Sequence, residues 1–356
     1  MKVEVSAPGK LILLGEYAVL EGAPALVAAV DRQARVSLEF NEDNFYLLRT
    51  PNLPDPEIKF RVNENDQISF EGGFSTAGKK QLKYFLPAFD MAREYLRQSD
   101  KTLPSCTFTL DSYDFYLPGS NLKLGLGSSA AITVATLFAI SQSVNYAFGK
   151  VPLFNLAVQV HQRAQGNSGS GVDIAASVFG GIRIYQKNSI IPTLISEPVV
   201  VNELNTVWMI PIWSGQPAVT EKFLQNLSVF KEKSGNSYRK IMQQMMELAN
   251  SGCSFYQQGD VKNFMTVIQD YFGALDELGK ASAIPIISQT HRHLAELVQK
   301  SGGVYKPSGA GGGDLGIAFG DSSVTNEKIR EALDKNGYKI IPLKVANRGV
   351  YLWEGN

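Results

Sequence analysis

Three glycine-rich segments, one lysine and one aspartate carry the chemistry that this chain can do. The segments are Ser6-Ala7-Pro8-Gly9-Lys10, Gly125-Leu126-Gly127-Ser128-Ser129-Ala130-Ala131 and Ser308-Gly309-Ala310-Gly311-Gly312-Gly313-Asp314. The central one runs into a long apolar stretch, so its serines fall at the start of a helix. Unpaired N–H groups in a helix's first turn, at the positive end of its dipole, attract an anion, and glycines let the main chain approach a phosphate. Two serine hydroxyls add donors or ligands for Mg²⁺. Serine is equally a favoured helix cap that needs no ligand; the two preceding glycines tip the reading toward phosphate. The third segment is dense in glycine, which is costly in conformational entropy. A tight bend would explain it, and a loop closing on a ligand explains it better.

Lys10 follows a Pro-Gly turn and precedes an apolar run, so its ammonium is expected where a strand meets a cleft. Asp173 follows Gly166-Asn167-Ser168-Gly169-Ser170-Gly171 and opens a helix of small residues. Taken singly, a lysine is normally solvated and such an aspartate stabilises a first helical turn. Gly73-Phe74-Ser75-Thr76-Ala77-Gly78-Lys79-Lys80 nearly fits the P-loop pattern, but Lys80 stands where a hydroxyl must reach Mg²⁺. It is read as a surface turn.

The 356 residues suffice for two domains, and 44% hydrophobic with 19% charged residues is a globular balance. Thirty-four basic and thirty-four acidic residues leave no net charge, so no global field would hold the chain on nucleic acid or anionic lipid. Phosphate must be held locally. Cys106 and Cys253 make no disulfide framework, and His161, His291 and His293 have no zinc-like spacing. No signal peptide or membrane span is read, and a cytoplasmic enzyme is expected.

Around these segments, strands are expected at Lys2–Ser6, Val27–Phe40 and Thr107–Tyr116, with a strand or short helix at Leu11–Leu20 and a loop at Asn41–Pro56. Helical spacing runs through Leu82–Leu96. In the second half Ile241, Met245 and Leu248 share one helical face, as do Val261, Phe264, Met265, Ile268, Phe272 and Leu275. A further helix is expected to start with Pro285 in its first turn and end before Ser301. Strands follow at Leu315–Phe319, Tyr338–Leu343 and Val350–Trp353, with a helix near Asn326–Asp334. A change of texture between Pro192 and Leu204 suggests units at 1–195 and 196–356.

Taken in order, the three segments resemble the three motifs of the GHMP kinases: Ala7 to Leu20 the first, Gly125 to Ala131 the second, Ser308 to Asp314 the third. Within that superfamily, Glu16-Tyr17-Ala18, the Gly169-Ser170-Gly171-Val172-Asp173 stretch and the closing Asp314 resemble the phosphomevalonate kinases most, with mevalonate kinases the alternative. The resemblance implies an α+β GHMP kinase fold, with a ribosomal-protein-S5-like N-terminal domain and a ferredoxin-like C-terminal domain. It implies ATP and Mg²⁺ as cofactors and transfer of the γ-phosphoryl group to 5-phosphomevalonate, in the mevalonate pathway, by a monomer or homodimer with no nucleic-acid or membrane partner.

Lys10 and Asp173 would be catalytic, and Gly125, Leu126, Gly127, Ser128, Ser129 and Ala130 would bind ATP, with Ser128 and Ser129 as Mg²⁺ ligands. Tyr17, Ser168, Gly169, Ser170, Gly171, Gly311 and Gly312 would hold the acceptor, and Lys80, Arg183, Lys222 and Arg348 are open as its cation. One position departs from the pattern: Gln162, eleven residues before Asp173, stands where mevalonate kinases have a Mg²⁺-binding glutamate. A third reading is a GHMP-fold ligand sensor without catalysis, against which the retained Lys10 and Asp173 speak.

Overall fold

The polar–apolar alternation that begins at Lys2 continues through the Pro-Gly pair, and strand β1 spans Lys2–Leu14. The computed structural model in which this is seen describes residues 1–51, 56–73, 75–146, 148–165, 169–187, 193–194, 196–204 and 206–354, apart from the side chains of 76–81 and 165. β1 pairs antiparallel with β2 (Ala25–Phe40), with register shifts between Pro8 and Gly9 and between Ile12 and Leu14. Proline cannot donate to a ladder, and a bulge is where a strand tolerates it. The expected Pro-Gly turn is therefore a bulge within one strand. The rest of the Leu11–Leu20 element is a 3-10 turn at Ala18–Glu21.

The expected loop after Phe40 contains β3 (Tyr46–Arg49), with 52–55 outside the described residues; β4 (Glu57–Val62) and β5 (Ile68–Glu71) follow. Helix α1 covers Thr76–Arg97, so Gly78, Lys79 and Lys80 lie in its first turns rather than in a surface turn. β6 (Cys106–Asp111) is shorter than expected, because the chain leaves it for a 3-10 turn at Tyr113–Phe115. Then come α2 (Ser128–Ser143), α3 (Lys150–Gln165), α4 (Val172–Phe179), β7 (Ile182–Tyr185) and β8 (Val199–Val201). Helix α2 is apolar on every side, with Ala130, Ala131, Val134, Leu137 and Ile140 all fully buried. A helix of that kind belongs inside a domain, and α2 packs against β1 and β2 and against α1, α3 and α4.

In the second half β9 (Trp208–Trp213) is followed by α5 (Thr220–Lys233), α6 (Gly235–Gln258), α7 (Val261–Ser282) and α8 (Gln289–Lys300). The faces expected on α6 and α7 are the buried ones: Ile241 and Met245 on the first, Phe264, Met265, Ile268 and Leu275 on the second. Helix α8 starts later than Pro285 suggested, because Ser288 caps it by accepting the His291 N–H. β10 (Val304–Pro307), β11 (Leu315–Gly320), α9 (Ser323–Lys335), β12 (Lys339–Ile340) and β13 (Tyr351–Leu352) complete the described elements.

One sheet runs β13-β1-β2-β6-β3-β4-β5, with β7 and β8 branching from the first half of β2. Only β3 and β6 pair in parallel among the described strands. The other sheet runs β10-β11-β9-β12, all antiparallel. Both β8 and β13 come after residue 195 yet belong to the first sheet. Among the described residues, no helix is long and apolar enough to cross a membrane.

Behind the third glycine-rich segment, His291 is fully buried with Nε2 3.1 Å from Gly313 O and Nδ1 2.7 Å from the Tyr305 hydroxyl. A carbonyl only accepts, so Nε2 carries the proton, and the neutral ring accepts from Tyr305 at Nδ1. Burial holds its pKa down at about 4, against an ordinary 6.5. A depressed histidine contributes stability that is complete above pH 6.5 and is lost as pH falls toward 4. The loss should reach about 3 kcal/mol. Urea unfolding at pH 7 and pH 4.5 should show this acid sensitivity in the wild type and a clearly smaller one in His291→Gln.

Candidate active site

Glycines with positive φ bring the second segment to the first. Gly125 (φ 74°) and Gly127 (φ 78°) take left-handed conformations, and Gly127 is the N-cap of α2 with no side-chain hydrogen bond to the first turn. Lys10 N–H donates to Leu126 O at 2.9 Å, which ties this loop to the β1 bulge. The approach is close enough that a Cβ on Gly9 would stand 2.7 Å from Leu126 O and from the Phe115 ring. Leu126 and Ala130 turn their side chains into the core. Gly125, Gly127, Ser128 and Ser129 face a cleft of about 520 Å³.

The N-terminal ends of α4 (Gly171 to Asp173) and α5 (Val219 to Glu221) open onto the same cleft. Neither Gly171 nor Val219 caps its helix with a side chain, whereas Asp260, Ser288 and Ser322 cap α7, α8 and α9 elsewhere. Three positive dipole ends converging on one cavity suit a polyanion.

Lys10 sits at the centre. Its Nζ donates to Gly125 O at 3.2 Å and lies 3.7 Å from Asp173 Oδ1, the lysine side chain buried and the aspartate about a third exposed. A second carboxylate flanks it. Asp314 (φ 55°) accepts the Ala218 N–H at 3.0 Å, and its side chain occupies the space where a Cβ on Gly125 would be. Burial raises the Asp314 pKa, against the pull of the Ala218 N–H and the Lys10 ammonium.

The first and third segments are joined below the cleft. Ser308 Oγ accepts the Ile12 N–H at 2.9 Å and donates to Ile12 O at 3.0 Å. Lys306 Nζ, fully buried, donates to Glu16 Oε1 at 2.5 Å and to Pro307 O at 2.8 Å. The same Glu16 oxygen takes the Gly309 N–H at 3.3 Å. Tyr17, at φ 61°, donates its hydroxyl to Ala310 O at 2.5 Å, and both residues line the cleft.

Of the residues expected to hold the acceptor, Tyr17, Gly169, Ser170 and Gly171 line the cleft, and Ser168 lies outside the described residues. Gly311 and Gly312 face elsewhere: a Cβ on either would strike Ile286 O or the Phe223 ring. These glycines allow the loop to pack on α5 and on the segment before α8. Arg183 is bound to the carbonyls of Phe179, Gly180 and Pro198, and Arg348 lies over the Tyr351 ring. Neither these nor Lys222 lines the cleft, and the Lys80 side chain lies outside the described residues.

Sequence reasoning missed three features. Glu16 and Lys306 are 290 positions apart, and nothing local pairs them. Lys83 on α1 reaches Glu221 on α5, which lines the cleft, at 2.6 Å. His161 lies 3.2 Å from Ser129 Oγ and is stacked on Tyr84 at 5.2 Å. Burial lowers the His161 pKa, with Asp173 acting to raise it and Lys83 to lower it further. Its adjacency to Gln162 was the one available signal.

Residues 90–181, which include the α2 loop and Asp173, match the family model for the N-terminal domain of GHMP kinases. Over 97% of both chains the sequence is 26% identical to a phosphomevalonate kinase of Streptomyces sp. strain CL190. It is 27% identical over 98% of both to a mevalonate kinase of Thermococcus sibiricus. Residues 90–181 are thus similar to the N-terminal domain of the GHMP kinases, and the full-length relatives are kinases of mevalonate and phosphomevalonate. A Streptococcus pneumoniae phosphomevalonate kinase solved with phosphomevalonate and AMPPNP superimposes on this chain with a TM-score of 0.78, covering 97% of this chain and 99% of that one at 19% identity. The fold is the α+β GHMP kinase fold, and its three motifs surround one cleft.

Proposed function

We propose that this protein is a GHMP kinase and transfers the γ-phosphoryl group of ATP to the phosphate of 5-phosphomevalonate, giving 5-diphosphomevalonate. The observation that carries the reading is Lys10, held between Gly125 O and Asp173 at the uncapped N-terminus of α2. Phosphoryl transfer depends chiefly on positioning and charge stabilisation. Gly125 to Ala130 would cradle the triphosphate through main-chain N–H groups and the Ser128 and Ser129 hydroxyls. Lys10 would offset repulsion between the two anionic reactants. A phosphate monoester, with a second pKa of about 6, is already mostly dianionic at neutral pH. Asp173 would then orient Lys10 rather than take a proton. Tyr17 and Gly169 to Gly171 would wall the acceptor, and Gly311 and Gly312 would shape the loop without touching it. Full-length similarity to the Streptomyces enzyme supports this acceptor, as does Gln162 in place of a carboxylate.

Mg²⁺ in phosphate sites takes one or two protein ligands and fills the rest with phosphate oxygens and water. Ser128, Ser129 and Asp173 line one cleft and offer a donor set of that sparse kind; among the described residues no group of three or more His, Cys, Asp or Glu is arranged to hold a metal. Ser128 and Ser129, with Asp173 near, would hold the ion on the phosphates, where it supplies charge neutralisation. The units 1–195 and 196–356 are proposed to flank the cleft, with β8 and β13 returning to the first sheet.

Mevalonate is the second reading, favoured by the similarity to the Thermococcus enzyme over nearly the whole chain. Coupled ADP release with Mg·ATP and each acceptor in parallel decides between them. Turnover on 5-phosphomevalonate alone is expected; turnover on mevalonate alone would overturn the assignment.

A further inference from the structure

His161 lines the cleft, yet the chemistry above gives it no task. It comes from the last turns of α3, its Nε2 3.2 Å from Ser129 Oγ in the first turn of α2. Its ring lies on that of Tyr84, from α1, with centroids 5.2 Å apart and planes 24° from parallel. Three helices therefore meet at one imidazole, and one of its nitrogens is directed at a hydroxyl of the phosphate loop.

A serine hydroxyl has one donor and two acceptor sites, and its proton turns to suit its surroundings. Pre-organised dipoles stabilise developing charge more than groups that must reorient during the reaction. A partner that fixes the rotor before the nucleotide arrives therefore matters for the transfer step.

We propose that His161 is a positioning residue: its Nε2 fixes the Ser129 hydroxyl at the N-terminus of α2, and the stack on Tyr84 holds the ring so that it can. This rests on reading the cleft as a nucleotide site. The stack fixes the ring plane, and the α3 backbone fixes the distance. One of the hydroxyl's hydrogen-bonding sites is thereby taken by His161, which leaves the others for the phosphates.

The test separates the nitrogen from the ring. His161→Phe keeps a flat ring against Tyr84 and deletes Nε2. It should lower kcat about 10–100-fold, the size seen when a partner orienting a site ligand is removed. The KM for the acceptor should stay unchanged, and Mg·ADP affinity by calorimetry should fall. His161→Gln, whose amide reaches the Nε2 position, should recover most of the loss. In a Ser129→Ala background His161→Phe should change kcat by less than about threefold, since the hydroxyl it positions is gone. Full activity in His161→Phe, or losses that simply multiply with Ser129→Ala, would overturn the proposal. Should the Phe variant melt early, His161→Asn takes its place: its amide stops short of Nε2, so the same loss is expected, and full activity counts against the proposal. Wild-type protein that binds Mg·ADP but phosphorylates neither acceptor would sink the proposed function alone, while calorimetry still reads His161. No nucleotide binding at all would sink both.

Discussion

Lys10→Ala should cost about 10²–10³-fold in kcat, the scale of removing one charge-stabilising group from a transition state, while Asp173→Asn should cost tenfold or less. The asymmetry follows from how Lys10 is held. Its ammonium has Gly125 O at 3.2 Å as one anchor and Asp173 Oδ1 at 3.7 Å as the other, and only the first is at hydrogen-bond distance. Asparagine keeps the shape beside Lys10 and leaves the first anchor untouched. A dianionic acceptor needs no base, so losing the carboxylate should leave the chemistry largely intact. Steady-state kinetics on 5-phosphomevalonate, with ATP affinity measured separately, checks this. Equal losses with normal ATP binding would mean that Asp173 takes a proton, which is what an alcohol acceptor such as mevalonate requires.

The second large effect is on stability. The Lys306 and Glu16 side chains are 0% and 2% exposed, and the lysine also donates to Pro307 O at 2.8 Å. Burial pulls the Lys306 pKa down, and the Glu16 carboxylate acts against that. Removing one partner of such a pair leaves an uncompensated charge out of water. Lys306→Met should therefore lower unfolding free energy by about 3–5 kcal/mol. Replacing both, as Glu16→Leu with Lys306→Met, should recover much of that, because neither charge then remains desolvated. Urea unfolding of the two variants measures the difference. A single variant within 1 kcal/mol of wild type would contradict the buried pairing. The double variant should still be impaired in turnover, since Glu16 also holds the Gly309 N–H.

The parts of this site that were legible in the sequence are those in which function is written into local backbone chemistry. Gly125 and Gly127 take conformations that favour glycine, and the serines after them open a helix whose burial the apolar run announced. Asp173 likewise opens α4. What was misread had a local sign that tertiary structure overrode. Pro8-Gly9 looks like a turn, but the long β2 partner keeps the chain extended and turns the pair into a bulge. The Asn- and Asp-rich stretch after Phe40 looks like a loop, yet Tyr46 to Arg49 completes a ladder between β4 and β6. Gly311 and Gly312, expected at the acceptor, are outside the cleft lining, and a Cβ on either would strike Ile286 or Phe223. What went unseen has no local sign: the Glu16–Lys306 pair, the Lys83–Glu221 bridge and the His161–Ser129 contact join residues that only the fold brings together.

The pairing of Val5 with Leu352 and Ser6 with Tyr351 has a consequence for how the protein is made. On the ribosome β1 emerges before β13, which pairs with it at Val5 and Ser6 and emerges some 345 residues later. At elongation rates of about 5–20 residues per second, that interval is roughly 20–70 s. Throughout it the nascent chain carries an open edge next to the segment bearing Lys10, and an open edge can pair with a foreign strand. Nucleotide cannot shorten the exposure, because Ser308 to Asp314 are themselves made near the end of that interval, and a ligand stabilises only a site that already exists. Demand for chaperones should therefore fall when β13 leaves the exit tunnel, rather than when the α2 loop folds.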